Sequence, residues 1–160
     1  GFEAVYEKPI GYTANAGLIE LRETLSLHLE RLYKVTYNYE KEIIITVGVS
    51  EALKCVFTAI CSEGDEIIVP TPCFVAYEPE IIFAGGVPII VEATAENNFE
   101  VTAEAIEAKI TPRTKAIFLA YPNNPTGAIL TRETALKILA IAEKYDLLVI
   151  SDEIYDRLVY

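Results

Sequence analysis

The apolar residues of this chain follow two different repeats. In residues 18–34 leucines recur at three- and four-residue steps, at Leu18, Leu21, Leu25, Leu29 and Leu32. This spacing predicts an amphipathic helix, because about 3.6 residues per turn bring these positions to one face. The next apolar run, IIITV at 43–47, is too short for a helix and too apolar for a surface strand. It predicts a buried strand.

The same alternation of helix and strand continues to the end of the chain. The further predicted strands cover 66–70, 87–92, 115–121 and 147–151. The further predicted helices cover about 50–61, 74–83, 102–109 and 132–145, and Thr102 and Thr131 are expected to cap the last two. Strands that alternate with helices pair in parallel, with helices on both faces of the sheet. The pattern therefore predicts one folded unit, a three-layer α/β/α fold with a mainly parallel sheet.

Composition and charge narrow the possible partners. The chain has 160 residues, of which 52% are hydrophobic, and 13 basic against 24 acidic residues give a net charge of −11. Such an acidic chain without a basic run is unsuited to nucleic acid and to anionic membranes, which both bind concentrated positive charge. The chain also lacks the roughly 18 consecutive apolar residues of a membrane span. We expect neither nucleic acid nor a membrane as a partner.

The cysteine and histidine content points away from a metal site. Cys55, Cys61 and Cys73 are an odd number in apolar surroundings, which predicts reduced thiols in a cytoplasmic protein. Their spacing suits no metal, and the single His28 lies among leucines, so no metal ligands are expected. Methionine is absent, even at position 1, so we expect the chain to be part of a longer product.

Candidate chemistry follows the predicted strands, because ligands of open parallel sheets bind beyond the carboxyl ends of the strands. Gly48, Val49 and Ser50 follow IIITV and precede a helix predicted to open at Glu51. Backbone amides and a hydroxyl at a helix start form an anion site that suits a phosphate. The alternative is that Ser50 serves only as the helix N-cap.

Three further strand ends carry groups that could bind a ligand. Phe74 could stack on a planar ring or belong to the core. The loop Pro122–Gly127 contains two prolines, which restrict its backbone, and it presents an amide side chain. Asp152 leaves an apolar strand, where a carboxylate must be paired, serve a charged ligand or cap a helix. Together, the four strand ends offer groups that a phosphorylated, planar, protonated heterocycle would use.

These residues resemble a known family. The matching segments are Tyr12-Thr13 with Gly17, residues 48–53, Pro72 with Phe74 and Tyr77, NNPTG at 123–127 and SDEIY at 151–155. In this order they resemble class I/II aminotransferases, which are pyridoxal-phosphate enzymes of fold type I. The resemblance implies that residues 1–160 are an incomplete cofactor-binding large domain. It also implies transamination between an L-amino acid and a 2-oxo acid.

The resemblance further implies roles for the cofactor ring's neighbours. Asp152 would pair with the protonated pyridine nitrogen, and Phe74 would stack on the ring. Asn124 and Tyr155 would hydrogen-bond the phenolic oxygen. An ionised aspartate beside the nitrogen favours its protonation, which the cofactor needs when it withdraws electrons from the substrate.

The resemblance also implies which residues hold the cofactor phosphate and which kind of residue binds the cofactor covalently. Val49 and Ser50 would hold the phosphate, and Tyr12 would reach a phosphate across the interface of a homodimer. The family binds pyridoxal phosphate covalently through a lysine downstream of the Asp-x-x-Tyr motif, whereas all eight lysines of this chain lie upstream of it. The Schiff-base lysine, the carboxylate-binding arginine and the small domain are therefore expected beyond Tyr160. No catalytic residue is expected within the chain, which should be inactive alone.

Other functions remain open from the sequence. The same cofactor-binding residues would suit a pyridoxal-phosphate-dependent C–S lyase or an enzyme of the cyclopropane-carboxylate synthase type. They would also suit an aminotransferase-like effector domain of a transcription regulator.

Overall fold

The computed structural model describes Tyr12 and residues 14–158 and contains two compact units, which divide between Val47 and Gly48. The first unit contains helix α1, Ile19–Tyr33, as predicted. Arg22 and Ser26 are buried on this helix. The Arg22 guanidinium donates to the carbonyl of Tyr39 over 2.6 Å, and the Ser26 hydroxyl donates to that of Tyr37, also over 2.6 Å. These bonds fasten the chain that follows α1 to the helix.

The predicted strand at 43–47 is wrong. Residues 43–47 form no strand, and Ile44 and Val47 are exposed. The amide of Ile45 donates to the carbonyl of Ala16, and Gly17 lies so close that an added Cβ would be 2.6 Å from that of Ile45. An apolar run becomes a strand only where a neighbouring strand offers a ladder of hydrogen bonds. No strand of the described residues pairs with this run.

The second unit is built on four parallel strands. They are β1 Glu66–Thr71, β2 Val87–Glu92, β3 Thr114–Ala120 and β4 Leu148–Asp152. Their order in the sheet is β2-β1-β3-β4, and all three pairings are parallel. The four strands predicted after residue 60 are therefore confirmed.

The predicted helices of the second unit are confirmed as well. They are α2 Gly48–Ile60, α3 Tyr77–Phe83, α4 Ala103–Glu107 and α5 Arg132–Lys144. A short 3-10 helix at Ala95–Asn97 was not predicted. The side-chain oxygens of Thr102 and Thr131 accept the amides of Ala105 and Thr134, so both predicted caps are correct.

The sheet has a separate hydrophobic core on each face, because successive strand residues point to opposite sides. Ile68, Ile117 and Leu119 pack with residues of α4 and α5, including Ile106 and Ile138. Ile67, Val69 and Phe118 pack with residues of α2 and α3, including Leu53, Phe57 and Ile81. Helices thus cover both faces, and the predicted three-layer architecture is confirmed in this unit.

Candidate cofactor site

The carboxyl ends of the strands carry most of the predicted site residues. Asp152 is the last residue of β4, Phe74 follows β1 and Asn124 follows β3. Helix α2 is joined to the start of β1 by residues 61–65 alone, so the helix runs back along the strands with its first turn toward the carboxyl ends. Val49 and Ser50 lie in that first turn. Because the helix begins at Gly48, the interpretation of Ser50 as an N-cap is wrong.

Asp152 is held by one donor on each carboxylate oxygen. The hydroxyl of Tyr77 donates to Oδ2 over 2.9 Å, and the amide of Ile154 donates to Oδ1 over 3.2 Å. No helix follows β4 in the described residues, so Asp152 is not the helix cap considered from the sequence.

The partners of Asp152 within the described part of the chain are both neutral. None of the ion pairs found there includes this carboxylate. Burying an acid without an opposite charge is costly, and a half-buried acid with two neutral donors is well suited to a cationic ligand. The geometry therefore provides a fixed negative charge at the end of β4.

Tyr77 is a site residue for which the sequence analysis predicts no separate role. Tyr77 is 4% exposed, and its ring centroid lies 4.5 Å from that of Phe118. Burial, with the hydrogen bond to Asp152 and the charge of that carboxylate, holds the pKa of Tyr77 well above its usual range. The hydroxyl therefore stays protonated and donates to Asp152. Tyr77 follows Phe74 by about one helical turn, and this spacing could have indicated from the sequence that the two side chains lie close together.

Phe74 lies outside both buried cores. Phe74 is 40% exposed, and its ring meets the ring of Tyr77 edge to face, with centroids 5.7 Å apart and planes at 71°. The amide of Tyr77 also donates to the carbonyl of Phe74 over 3.2 Å. The interpretation of Phe74 as a core residue is therefore wrong, and part of its ring is available for contact.

In the NNPTG loop the first asparagine is the buried one. Asn123 is 8% exposed, and its Nδ2 donates to the carbonyl of Pro72 over 3.2 Å, while its Oδ1 accepts the hydroxyl of Thr126 over 2.8 Å. Asn123 thereby joins the loop after β3 to the loop that carries Phe74. Asn124, the residue predicted to contact a cofactor, is half-buried beside it.

The remaining predicted site residues are Tyr155 and Tyr12. Tyr155 lies three residues after Asp152 and is half-buried. Tyr12 belongs to the first compact unit and is fully exposed there. Thr13, its neighbour in the matching segment, lies outside the described residues. The roles predicted for Tyr12 and Tyr155 stay predictions.

Metal ligands, cysteines and membrane-spanning helices were also sought among the described residues. These residues contain no group of three side chains that could hold a metal ion, and their three cysteines are unpaired. Burial raises the pKa of the Cys73 thiol, which lies beside the site, and Glu78 raises it further. None of the helices in this part of the chain has both the length and the apolar character needed to cross a membrane.

The carboxyl edge of the parallel sheet thus carries a helix start suited to an anion and a partly exposed aromatic ring. It also carries an aspartate that has no basic partner among the described residues. Residues 9–160 match the family model described as aminotransferase class I and II. The chain belongs to this family.

Comparison with individual proteins agrees with the family assignment. The chain is 42% identical, over 99% of its length, to a Bacillus subtilis protein named "Probable N-acetyl-LL-diaminopimelate aminotransferase", of which it covers 40%. It is 41% identical, over 93% of its length, to an aspartate aminotransferase from Bacillus sp. (strain YM-2), of which it covers 38%. The crystal structure of an aspartate aminotransferase from Thermotoga maritima is 36% identical and superposes with a TM-score of 0.93, over 99% of this chain and 42% of that one. The chain thus spans about 40% of the length of its relatives.

Proposed function

We propose that this chain is the cofactor-binding part of a pyridoxal-phosphate-dependent aminotransferase, which moves an amino group between an L-amino acid and a 2-oxo acid. The observation that carries the proposal is Asp152, a carboxylate fixed by two neutral donors at the end of β4 with no basic partner among the described residues. The names of the relatives favour transamination over the lyase, synthase and regulator alternatives.

The residues of the second unit suit the ring of pyridoxal phosphate. Asp152 would accept a hydrogen bond from the protonated pyridine nitrogen, and Phe74 would contact the ring face. Asn124 and Tyr155 would donate to the phenolic oxygen. Pyridoxal phosphate, when bound, supplies an electron sink for the charge that develops at the substrate α-carbon. The part of Asp152 in this chemistry is to keep the nitrogen protonated, because a nearby negative charge raises the proton affinity of that nitrogen.

The first turn of α2 suits the phosphate. The amides of Val49 and Ser50 lie in the turn where helix amides have no carbonyl partner within the helix. With the hydroxyl of Ser50, they can donate to an anion at the positive end of the helix dipole, a contribution of up to about 2 kcal/mol. Local potential of this kind allows a chain with a net charge of −11 to bind a phosphate.

The rest of the catalytic machinery belongs to the longer protein that we propose. The lysine that binds pyridoxal phosphate covalently, the arginine for the substrate carboxylate and the small domain would follow Tyr160. A homodimer would bring Tyr12 to a phosphate of the partner subunit. A cytoplasmic location is part of this proposal, and the three unpaired cysteines support it.

The test uses the full-length protein loaded with pyridoxal phosphate. Borohydride reduction, digestion and mass spectrometry should find one pyridoxyl group per subunit, on a lysine beyond Tyr160. Mixing with L-aspartate, an L-aromatic amino acid and L-alanine in turn should convert the bound cofactor to its amino form with at least one of them. A stoichiometric adduct on one of the eight lysines within residues 1–160 would contradict the proposal, as would the absence of any conversion.

A further inference from the structure

Tyr77 contacts both Phe74 and Asp152. Its hydroxyl donates to Oδ2 of Asp152 over 2.9 Å, across 75 residues of sequence. Its ring meets the ring of Phe74 edge to face, and its amide donates to the carbonyl of Phe74. Two of the residues proposed to contact the cofactor are thus joined through Tyr77.

We propose that Tyr77 is a positioning residue, which fixes Asp152 and Phe74 in the arrangement that the pyridine ring of pyridoxal phosphate requires. This inference rests on the proposed function and deepens it. It assigns Tyr77 no contact with the substrate and no part in proton transfer.

Hydrogen-bond chemistry supports this role. An ionised carboxylate only accepts hydrogen bonds, so the Tyr77 hydroxyl must be the donor. The raised pKa of Tyr77 keeps that donor protonated. With one donor from Tyr77 on Oδ2 and one from Ile154 on Oδ1, the carboxylate is held in one orientation, and each oxygen keeps a further acceptor site for a ring N–H.

Packing fixes the donor in turn. The Tyr77 ring lies against Phe118 of β3, with centroids 4.5 Å apart, and Phe118 packs against Phe57 of α2 at 5.8 Å. The hydroxyl therefore cannot follow Asp152 if the carboxylate rotates toward solvent. A rigid support of this kind determines how accurately a binding residue is placed.

The experiment uses pyridoxine 5′-phosphate, which lacks the aldehyde and so binds without a covalent bond. Its affinity for the full-length apoprotein and its bound absorption spectrum, which reports protonation of the ring nitrogen, are measured for the wild type and Tyr77→Phe. The Phe ring keeps the packing and removes only the donor. We expect about tenfold weaker binding and a shift of the spectrum toward the unprotonated ring.

Tyr121→Phe is the matched control. The hydroxyl of Tyr121 accepts the amide of Val101 and donates to the carbonyl of Phe99, and its ring packs against the core on the opposite face of the sheet. We expect this variant to keep the wild-type spectrum. An unchanged spectrum and affinity in Tyr77→Phe would overturn the inference, and so would equal weakening in both variants without a spectral change.

A measurement on the wild type covers the case in which Tyr77→Phe does not fold. With tyrosine labelled at Cζ, the NMR resonance of Tyr77 in the complex with pyridoxine 5′-phosphate should remain that of a protonated phenol up to at least pH 10, its ordinary pKa. Ionisation of Tyr77 below that pH would overturn the inference. Failure of the wild-type protein to bind pyridoxine 5′-phosphate and pyridoxal phosphate would instead overturn the proposed function itself.

Discussion

Two carboxylates, one at each end of the parallel sheet, differ in their partners: one has a charged partner and the other has neutral donors. Glu66 opens β1 at the amino end, where it is 2% exposed and pairs with Arg113 at 2.6 Å. The hydroxyls of Thr111 and Thr114 also donate to it. Asp152 closes β4 at the carboxyl end and has only the neutral donors Tyr77 and Ile154 in the described part of the chain.

This difference indicates that Glu66 stabilises the fold, whereas Asp152 is able to bind a ligand. The hydrogen bond from Thr111 and the pairing with Arg113 hold the pKa of Glu66 below its ordinary value, although burial acts in the opposite direction. The charge of Glu66 is therefore neutralised within the fold. The charge of Asp152 has no such partner there, so a protonated ring nitrogen would complete its environment.

The largest effect is expected from removing the charge at the carboxyl end. In the full-length protein, Asp152→Asn keeps the side-chain volume but loses the ionised partner of the ring nitrogen. We expect the rate of half-transamination to fall by about 10²–10³-fold, the range found when one preorganised electrostatic group is removed. Stopped-flow absorbance measures the rate, and circular dichroism checks the fold.

Asp146→Asn is the control for this loss of charge. Asp146 is exposed and has a left-handed backbone, φ 54°, which asparagine also tolerates. This variant should react at the wild-type rate. If the rate of Asp152→Asn is within threefold of that of Asp146→Asn, the ring-nitrogen role of Asp152 is wrong.

Removing the charge at the amino end should affect stability instead. Glu66→Gln weakens the bonds from Arg113 and the two threonines, and a hydrogen bond to a charged group contributes about 1.5–3 kcal/mol. We expect the free energy of unfolding to fall by about 2 kcal/mol, with unchanged affinity for pyridoxine 5′-phosphate. The exposed acid Glu133, which pairs with Lys137 one turn along α5, provides the control. Glu133→Gln should leave the free energy of unfolding close to that of the wild type, because an exposed ion pair contributes little.

The pH dependence of the Glu66 effect has a definite sign. Because the folded-state pKa of Glu66 is lowered, its contribution is fully present above the ordinary value of 4.5 and is lost as the pH falls through the lowered value. The difference in unfolding free energy between the wild type and Glu66→Gln should therefore shrink on acidification below pH 4.5. A difference that grows in that range would contradict the assignment.

A smaller effect is expected from the loop contact behind the site. Asn123→Ala removes the hydrogen bond to Pro72 that joins the loops carrying Phe74 and Asn124. One hydrogen bond contributes about 1 kcal/mol, so we expect about fivefold weaker binding of pyridoxine 5′-phosphate by fluorescence titration. The exposed Asn97, in the short 3-10 helix, provides the matched variant Asn97→Ala, which should bind as the wild type. Equal affinities of the two variants would remove Asn123 from a supporting role.

The fold was predictable wherever the signal is local. Turn residues and apolar runs were sufficient for β1 to β4, and the threonine hydroxyls before α4 and α5 marked the starts of both helices. The strand predicted at 43–47 was wrong because composition reports only strand propensity. A strand also needs a neighbouring strand that pairs with it, and the described residues provide none here.

The candidate site was predictable in its location but not in its internal contacts. The predicted strand boundaries were sufficient to place Phe74, Asn124 and Asp152 at strand ends, because ligands of open parallel sheets bind beyond the carboxyl ends of the strands. The bond between Tyr77 and Asp152 joins residues 75 positions apart, so no local spacing could indicate it. In the NNPTG loop, both asparagines have the same chemistry, and only the packing shows that Asn123 faces inward.

The state of the ring nitrogen tests the central claim most directly. Pyridoxal phosphate labelled with ¹⁵N in its ring is bound to the full-length wild-type protein and to Asp152→Asn, and the nitrogen resonance is followed by NMR between pH 6 and 8. We predict a protonated pyridine throughout this range in the wild type and an unprotonated one in the variant. An unprotonated nitrogen in the wild-type protein, or the same resonance in both proteins, would contradict the assignment of Asp152 as its partner.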